Sequence, residues 1–434
     1  MTDRPDAPGP MLRRGPRPLL LHLTLAMLKS TGSNAGSPNS KPDWDNWNVV
    51  EEAVRASAAG GAPPPIDPGL IAGIAAYRRH PWSRDLLDPP HVWAEGGSRI
   101  LDYRGVGDAP PHTSSSVQAG DPRLSVGAPR KAWVLGPSPR MTAGGNGPTV
   151  LFVPSLVNRA HVLDLMRGHS MLRFLASHDV RPLLLDWGWP GTVERGFTLT
   201  DYIAGRLERA MEAAVALAGG KIVLAGYCMG GNLAVAAAER RPDLVSALAL
   251  LATPWDFHAP EPDRARRAAV CLPMLEPAMA FNGTLPIDAL QTLFTLLDPF
   301  GVGDKYRAFA KLDQDSARAL LFVAMEDWLN DGVPLVAGVA RECLGGWYGV
   351  NAPARGEWRI AGLPVNPARI AVPTFVAVPG RDRIVPPESA RFLAAAIPGA
   401  VLHAPAAGHV GMVAGAGAEG ALWRQLLRWL GGVG

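Results

Sequence analysis

After residue 147 the chain alternates between short apolar runs and segments with helical spacing. The apolar runs are continuous rather than alternating, which is typical of strands buried on both faces; they are 149–154, 181–187, 221–226, 246–252, 369–378 and 400–403. Helical spacing marks the segments 163–178, 201–218, 230–241 and 386–397. Strands separated by helices predict an α/β fold with a mostly parallel sheet and helices on both faces.

This alternation is interrupted between residues 258 and 362. Helical patterns such as residues 286–297 and 315–329 follow one another there without strand signals. A helical insertion between two strands of a parallel sheet predicts a cap over the carboxyl edge of the sheet, where such folds bind ligands. The predicted core is therefore residues 148–257 and 363–434, with a cap of residues 258–362 inserted before the strand that precedes Asp382.

The first 147 residues are less regular. We expect a loosely ordered tail over residues 1–65 with a short apolar helix, a helix and a strand over 66–104, and a Gly/Pro/Ser-rich insertion over 105–147. The apolar run Leu19–Leu28 follows several arginines, as in a secretory signal, but polar residues interrupt the run and no clean cleavage site follows it. We therefore favour a short amphipathic anchor or a helix that binds a partner.

Composition narrows the class of protein. Hydrophobic residues make up 47% of the chain and charged residues 19%, enough for a sizeable core. The net charge is +3 and no basic stripe is present, which argues against nucleic-acid binding. No run is long enough for a transmembrane segment. Three cysteines cannot form a complete disulfide framework and favour a reducing, cytoplasmic location.

The sharpest chemical motif is Gly226-Tyr-Cys-Met-Gly230, between a predicted strand and a predicted helix. It has the spacing of a nucleophile elbow, G-x-S-x-G, with Cys228 in place of serine. Glycines are needed on both sides because a Cβ there would collide with the neighbouring strand or helix. The positive end of the helix would favour the thiolate of Cys228. The alternative is a small buried cysteine at a glycine-rich turn.

Partners for this nucleophile follow in the expected order, an acid and then a histidine, each after a later strand. Asp382 and His409 occupy these positions and predict a Cys-His-Asp triad, in which His409 takes the proton of Cys228 and Asp382 orients the imidazole. The backbone N–H of Met229 is one oxyanion donor, and the second should come from residues 155–158. The sequence contains no metal motif and no dinucleotide-binding motif.

Other reactive or aromatic side chains have simpler explanations. We expect structural roles for the remaining cysteines and for the cap tryptophans. The alternative for the tryptophans is that they line an acyl tunnel. We expect surface or capping roles for the other histidines. The residues concerned are Cys271, Cys343, Trp328, Trp347, Trp358, His169, His178 and His258.

Several segments in the same order resemble polyhydroxyalkanoate synthases, most closely the short catalytic subunit of the two-component, class III type. The segments are 153–165, 183–191, 226–234, 253–257, 296–306, 323–329 and 408–412. The resemblance implies an α/β-hydrolase core with a mobile cap. It also implies that Cys228 carries the growing polyester as a thioester, that His409 is the base, that Asp382 is the acid and that Val157 is the second oxyanion donor.

The same resemblance implies 3-hydroxyacyl-coenzyme A and the polyester chain as substrates, with no further cofactor. It implies a homodimer, at the granule surface in the cytoplasm, with a second synthase subunit or granule proteins as further partners. The chain departs from the family at Arg383, where a histidine is usual, in residues 105–147 and in its first hundred residues.

Three functions remain open. The first is an acyltransferase that polymerises 3-hydroxyacyl-coenzyme A, and the second is a hydrolase, either an intracellular polyester depolymerase or a thioesterase. The third is a relative without catalytic activity. A cysteine nucleophile favours acyl transfer, because exchange of one thioester for another keeps the acyl group activated.

Overall fold

The computed structural model describes residues 13–32, 67–106, 147–295 and 301–433, and an eight-stranded sheet lies at its centre. Its strands are β1 His91–Glu95, β2 Ser98–Asp102, β3 Thr149–Val153, β4 Arg181–Asp186, β5 Ile222–Tyr227, β6 Val245–Leu251, β7 Thr374–Ala377 and β8 Val401–His403. Their order is β1-β2-β4-β3-β5-β6-β7-β8. Strands β3 to β8 are parallel, and the hairpin β1–β2 adds to β4 in antiparallel orientation. This is the α/β-hydrolase architecture, so the predicted fold class is confirmed.

Helices cover the sheet and fill the long connection after β6. They are α1 Leu19–Gly32, α2 Pro68–Arg79, α3 Met171–Ala176, α4 Glu208–Ala218, α5 Met229–Arg240, α6 Pro262–Val270, α7 Leu272–Asn282, α8 Ile287–Thr295, α9 Gly301–Phe309, α10 Ala317–Asn330, α11 Ala337–Arg341, α12 Pro387–Ala396, α13 Gly411–Ala414 and α14 Arg424–Leu430. Helices α6 to α11 all lie between β6 and β7, in the region that the sequence assigns to the cap.

The two faces of the sheet have separate cores. In β5, Ile222 and Leu224 pack on the face covered by α4 and α5, whereas Val223 and Ala225 pack on the face covered by α3 and α14. Because both faces are covered, every residue of β5 is buried. This explains why the central strands are continuously apolar.

One predicted helix is wrong in part. Residues 163–178 form a small hairpin, Asp164–Met166 with His169–Ser170, and only then helix α3. Gly168 turns the hairpin with a φ of 71°, a conformation that a helix cannot contain. The predicted strand 369–378 is also shorter than expected, since Pro367–Arg369 form a 3-10 turn and only Thr374–Ala377 join the sheet.

The N-terminal helix lies against the cap. Leu19, Leu23 and Ala26 pack into a cluster that includes Tyr306 and Phe309 of α9. Its proposed role as an anchor or partner helix stays a prediction. The rest of the predicted tail, residues 1–12 and 33–65, lies outside the described residues, and so does nearly all of the predicted insertion, residues 107–146. Among the helices that the structure describes, none is both long and apolar enough to cross a bilayer.

Candidate active site

Cys228 occupies the tight turn between β5 and α5. Strand β5 ends at Tyr227 and helix α5 begins at Met229, so the thiol lies at the N-terminus of the helix. Its backbone has φ 55° and ψ −130°, a strained conformation for a residue with a side chain. The N–H of Cys228 donates to Leu251 O of β6 at 2.8 Å, which fixes the turn to the sheet. The side chain is partly exposed, and it therefore remains accessible.

The glycines of the elbow are required by close backbone approaches. A Cβ at Gly226 would overlap the backbone of Gly231, and a Cβ at Gly230 would overlap Val153 O and Pro154. Sequence reasoning missed Gly231, where a Cβ would strike the Thr253 side chain. The adjacent glycine pair after the cysteine is the signal that could have identified it.

Asp382 and His409 come together as an ion pair beside the elbow. Nδ1 of His409 lies 2.7 Å from Oδ2 of Asp382, and both residues are buried. The other carboxylate oxygen accepts the N–H groups of Ile384 at 2.8 Å and Val385 at 2.9 Å. The loops after β7 and β8 thus deliver the two residues to the same place, in the arrangement that the sequence predicts.

The environment of His409 keeps its ring charged. Burial alone would lower the pKa of His409, but the charges of Cys228 and Asp382 and the hydrogen bonds to both raise it from 6.5 to about 10. The charged imidazolium form of His409 is therefore favoured at neutral pH, beside the predicted nucleophile Cys228.

Tyr227 is a further residue of the site that sequence reasoning passed over. Its ring lies 5.2 Å from the ring of His409, and its hydroxyl donates to the carbonyl of His409 at 3.4 Å. Burial and then the charge of Cys228 raise the pKa of Tyr227 well above its usual value, so its ring stays neutral. Because it lies inside the elbow motif, next to the nucleophile, it holds the histidine from the strand side.

The two proposed oxyanion donors, the N–H groups of Met229 and Val157, differ in their hydrogen bonding. Met229 is the first residue of α5, so its N–H has no acceptor within the helix. The N–H of Val157 donates instead to Oγ of Ser155 at 3.1 Å. Residues 154–159, here called the oxyanion loop, start beside the elbow because β3 pairs with β5 at Val153 and Gly226. The proposed second donor, the N–H of Val157, is therefore near the elbow, and in this structure it is hydrogen-bonded to Ser155.

An aromatic group from the cap lies over the elbow. Burial, with Cys228 as the next cause, raises the pKa of Tyr348, which contacts Phe257 at a ring distance of 5.1 Å. Trp347 and Trp358 are buried and lie 5.2 Å apart, and His258 bonds the carbonyl of Tyr348 at 3.0 Å. These aromatic residues belong to the same packed cluster as Cys228.

The remaining cysteines differ from Cys228. Cys343 is buried, and burial raises its pKa well above the usual value, as expected of a packing residue. Cys271 is partly exposed between α6 and α7, with its sulfur 3.6 Å from Arg267 O. Over the described ranges, no group of three or more His, Cys, Asp or Glu could hold a metal ion.

Comparisons with known proteins find a matching fold profile and similar sequences. The profile of the α/β-hydrolase fold matches residues 148–270. The poly(3-hydroxyalkanoate) polymerase subunit PhaC of Synechocystis sp. is 29% identical over 65% of this chain and 77% of its own length. The subunit of the same name from Allochromatium vinosum is 28% identical over 65% of this chain and 80% of its own length. The chain is therefore similar to polyhydroxyalkanoate synthases over about two thirds of its length.

Other similar proteins extend the comparison. The PhaC subunit of Haloferax mediterranei is 28% identical over 64% of this chain and 58% of its own length. A thermophilic esterase from Thermogutta terrifontis is similar in structure, at 22% identity and a TM-score of 0.38 over 67% of this chain and 91% of that chain. The PhaC subunits match about two thirds of this chain, which is the share over which the sequence resembles the synthases.

Proposed function

We propose that this protein is an acyltransferase that polymerises 3-hydroxyacyl-coenzyme A into polyhydroxyalkanoate through a thioester on Cys228. The observation that carries the proposal is a cysteine at a nucleophile elbow, next to a histidine whose pKa is about 10 because of the charges of Cys228 and Asp382. Relatives named poly(3-hydroxyalkanoate) polymerase support the choice of substrate.

In the first step the thiolate of Cys228 attacks the thioester carbonyl of the substrate. The N–H of Met229 stabilises the oxyanion, and the N–H of Val157 joins it when it leaves Ser155. As the tetrahedral intermediate collapses, the bond to the sulfur of coenzyme A breaks, and His409 donates its proton to that sulfur. The products are free coenzyme A and an acyl-enzyme with a neutral His409.

In the second step the neutral His409 takes the proton of a 3-hydroxyl group while that oxygen attacks the acyl carbon on Cys228. The ester bond forms, the bond to Cys228 breaks, and the thiolate is again paired with an imidazolium. Asp382 keeps Nδ1 of His409 protonated throughout, at 2.7 Å, so that the other ring nitrogen performs both transfers. The charge balance of the site is restored after each addition.

A thiol suits this reaction better than a hydroxyl. Transfer from coenzyme A to Cys228 exchanges one thioester for another, so the acyl group keeps its activation for the attacking hydroxyl. Water must be kept from the acyl-enzyme, and we assign this role to the cap residues Trp347, Tyr348 and Trp358, which pack in the same cluster as Cys228. The proposal includes action at the granule surface in the cytoplasm, as a homodimer or with a second subunit.

The test is an assay of the purified full-length chain with 3-hydroxybutyryl-coenzyme A. We expect release of coenzyme A together with insoluble polyester, and loss of both in Cys228→Ala. Cys271→Ala is the matched control, because Cys271 is also partly exposed but its sulfur contacts the carbonyl of Arg267 rather than a histidine. Soluble 3-hydroxy acid as the sole product would overturn the proposal in favour of a thiol-dependent hydrolase.

A further inference from the structure

The oxyanion loop is attached to the cap along most of its length. Val157 O accepts the N–H of Val333 at 3.1 Å, and Asn158 pairs with Gly332 as an isolated antiparallel bridge. The carbonyl of Arg159 accepts the indole N–H of Trp328 at 2.7 Å. The loop that carries the second oxyanion donor therefore takes its position from the end of α10 and the turn that follows it.

The same end of α10 is held from the other side by the N-terminal segment. Nε of Arg13 lies 2.7 Å from Oδ1 of Asp327, and its other two nitrogens donate to the carbonyls of His80 and Trp82. The Arg13 side chain is only 13% exposed. This makes it a partly desolvated ion pair, stronger than an ordinary surface pair.

Further contacts of this segment point to the same place. A side-chain nitrogen of Arg17 donates to Asn330 O at 3.4 Å, while its Nε pairs with Asp288 of α8 at 2.9 Å. Arg78 of α2 donates to Gly15 O at 3.0 Å. Beyond these polar contacts, the apolar side of α1 packs on α9. Residues 13–26 are here called the N-terminal clamp.

We propose that the N-terminal clamp positions the second oxyanion donor, with Arg13 acting through Asp327 and the end of α10 on the oxyanion loop. Arg13 is a positioning residue, since it touches no reacting atom. The chain of contacts runs from Arg13 to Asp327 on α10. From there one branch passes through Trp328 to Arg159, and a second passes beyond the end of α10 through Val333 to Val157. The inference rests on the proposed function only in its use of Val157 as a donor.

This chain of contacts acts on the hydrogen bond between Val157 N–H and Ser155 Oγ. At 3.1 Å it competes with the oxyanion for the same hydrogen, so the loop must shift slightly for the donor to serve the reaction. Contacts from the cap limit how far the loop can move. An error of about 1 Å in a group of this kind is enough to cost roughly 100-fold in rate.

The test separates the oxyanion donor from the nucleophile. Acylation of Cys228 develops an oxyanion, whereas alkylation of Cys228 by iodoacetamide does not. In the full-length protein, we expect Arg13→Ala to lower the kcat for thioester turnover by about tenfold or more, with KM changed less than about twofold. The rate of alkylation of Cys228 should stay at the wild-type value.

Two further variants test the route. Arg13→Lys keeps a cation beside Asp327 and should recover part of the lost kcat. Trp328→Phe removes the bond to Arg159 O but keeps a ring, and it should lower kcat in the same way. If both residues act through one chain of contacts, the double variant should lose much less than the product of the two single effects.

Arg424→Ala is the matched control, because it removes an exposed pair between Arg424 of α14 and Glu419 that takes no part in these contacts. An equal loss of kcat in Arg424→Ala would overturn the inference, as would a kcat that Arg13→Ala leaves unchanged. A parallel fall of kcat and of the alkylation rate would also overturn it, because it would indicate general loosening of the site.

A second substrate keeps this result independent of the proposed function. A p-nitrophenyl ester acylates the same sulfur and needs the same oxyanion donors. If the wild type forms no polymer but acylates with the ester, the proposed function fails and the effect of Arg13→Ala is measured on the ester burst. If neither substrate acylates Cys228, both proposals are overturned.

Discussion

At the scale of single residues, the site depends on one charge relationship. His409 is buried and would be neutral without its neighbours, yet Cys228 and Asp382 hold its pKa at about 10. The pKa of His409 in the folded protein is above its ordinary value of 6.5. The interaction of His409 with Cys228 and Asp382 therefore stabilises the folded protein to its full extent below pH 6.5. That contribution is lost as the pH rises through about 10.

Removal of the Cys228 side chain tests this relationship directly. In Cys228→Ala, the His409 ring loses one of the two residues that raise its pKa while burial stays, so the pKa of His409 should fall below the wild-type value. NMR titration of the histidine ring signals measures the pKa of His409 in the wild type and in Cys228→Ala. The control is Cys343→Ala, which removes a buried thiol elsewhere in the core. An unchanged His409 pKa in Cys228→Ala would show that the two side chains do not interact.

The candidate catalytic residues could be predicted from the sequence, but the contacts that hold them in place could not. Cys228, Asp382 and His409 could be named from motif spacing and strand order, because an α/β sheet brings the loops after its parallel strands to one edge. The bond between Val157 N–H and Ser155 Oγ could not be predicted, since it depends on how one short loop folds back on itself. The contact of Tyr227 with His409 joins residues far apart in the chain and likewise needed the fold.

At the scale of elements, the elbow depends on the fit between α5 and the end of β3. Gly230 allows the first turn of α5 to lie against Val153 O and Pro154. The oxyanion loop begins at that contact. A change in this fit therefore displaces the helix, the nucleophile and the loop together.

Gly230→Ala should for this reason reduce acyl transfer by at least about 100-fold, because its Cβ forces the strand end and the helix apart. Gly196→Ala is the matched control, since a Cβ at Gly196 has open space around it. The measurement is the burst of p-nitrophenol on acylation of each variant, at equal concentration of folded protein. A burst from Gly230→Ala as fast as that of the control would contradict this account.

Secondary structure was predictable where each element has a continuous apolar face. Strands β3 to β6 lie within a residue or so of their predicted bounds, because buried parallel strands read as continuous apolar runs. The segment 163–178 was not predictable as a hairpin. Its apolar spacing fits a helix, but Asp164 is buried and accepts Nε of Arg173 at 2.7 Å, a side-chain contact across the segment that spacing alone does not show.

At the scale of the whole molecule, buried charge clusters join the N-terminal segments to the core. Asp164 has no exposed side-chain surface and pairs with Arg173 at 2.7 Å and Arg84 at 3.0 Å. It also accepts the hydroxyl of Tyr103 at 3.1 Å. Three separated stretches of chain therefore meet at one carboxylate.

Asp164→Ala should lower the free energy of unfolding by about 3–5 kcal/mol, because it leaves the buried Arg173 without its carboxylate. Urea denaturation followed by far-UV circular dichroism measures the change. Arg355→Ala, which removes only an exposed pair with Glu357, should leave the free energy of unfolding close to the wild-type value. A loss in Asp164→Ala of the same small size as in Arg355→Ala would count against this role.

The way Asp382 is held has a consequence for the rim around it. One oxygen is fixed by the main chain of its own turn, through Ile384 and Val385, and the other by His409. None of these bonds needs the side chain at position 383, which is exposed. The position of Asp382 is therefore set without the side chain of its neighbour, so Arg383, where the family that the sequence resembles usually has a histidine, leaves the Asp382–His409 pair intact.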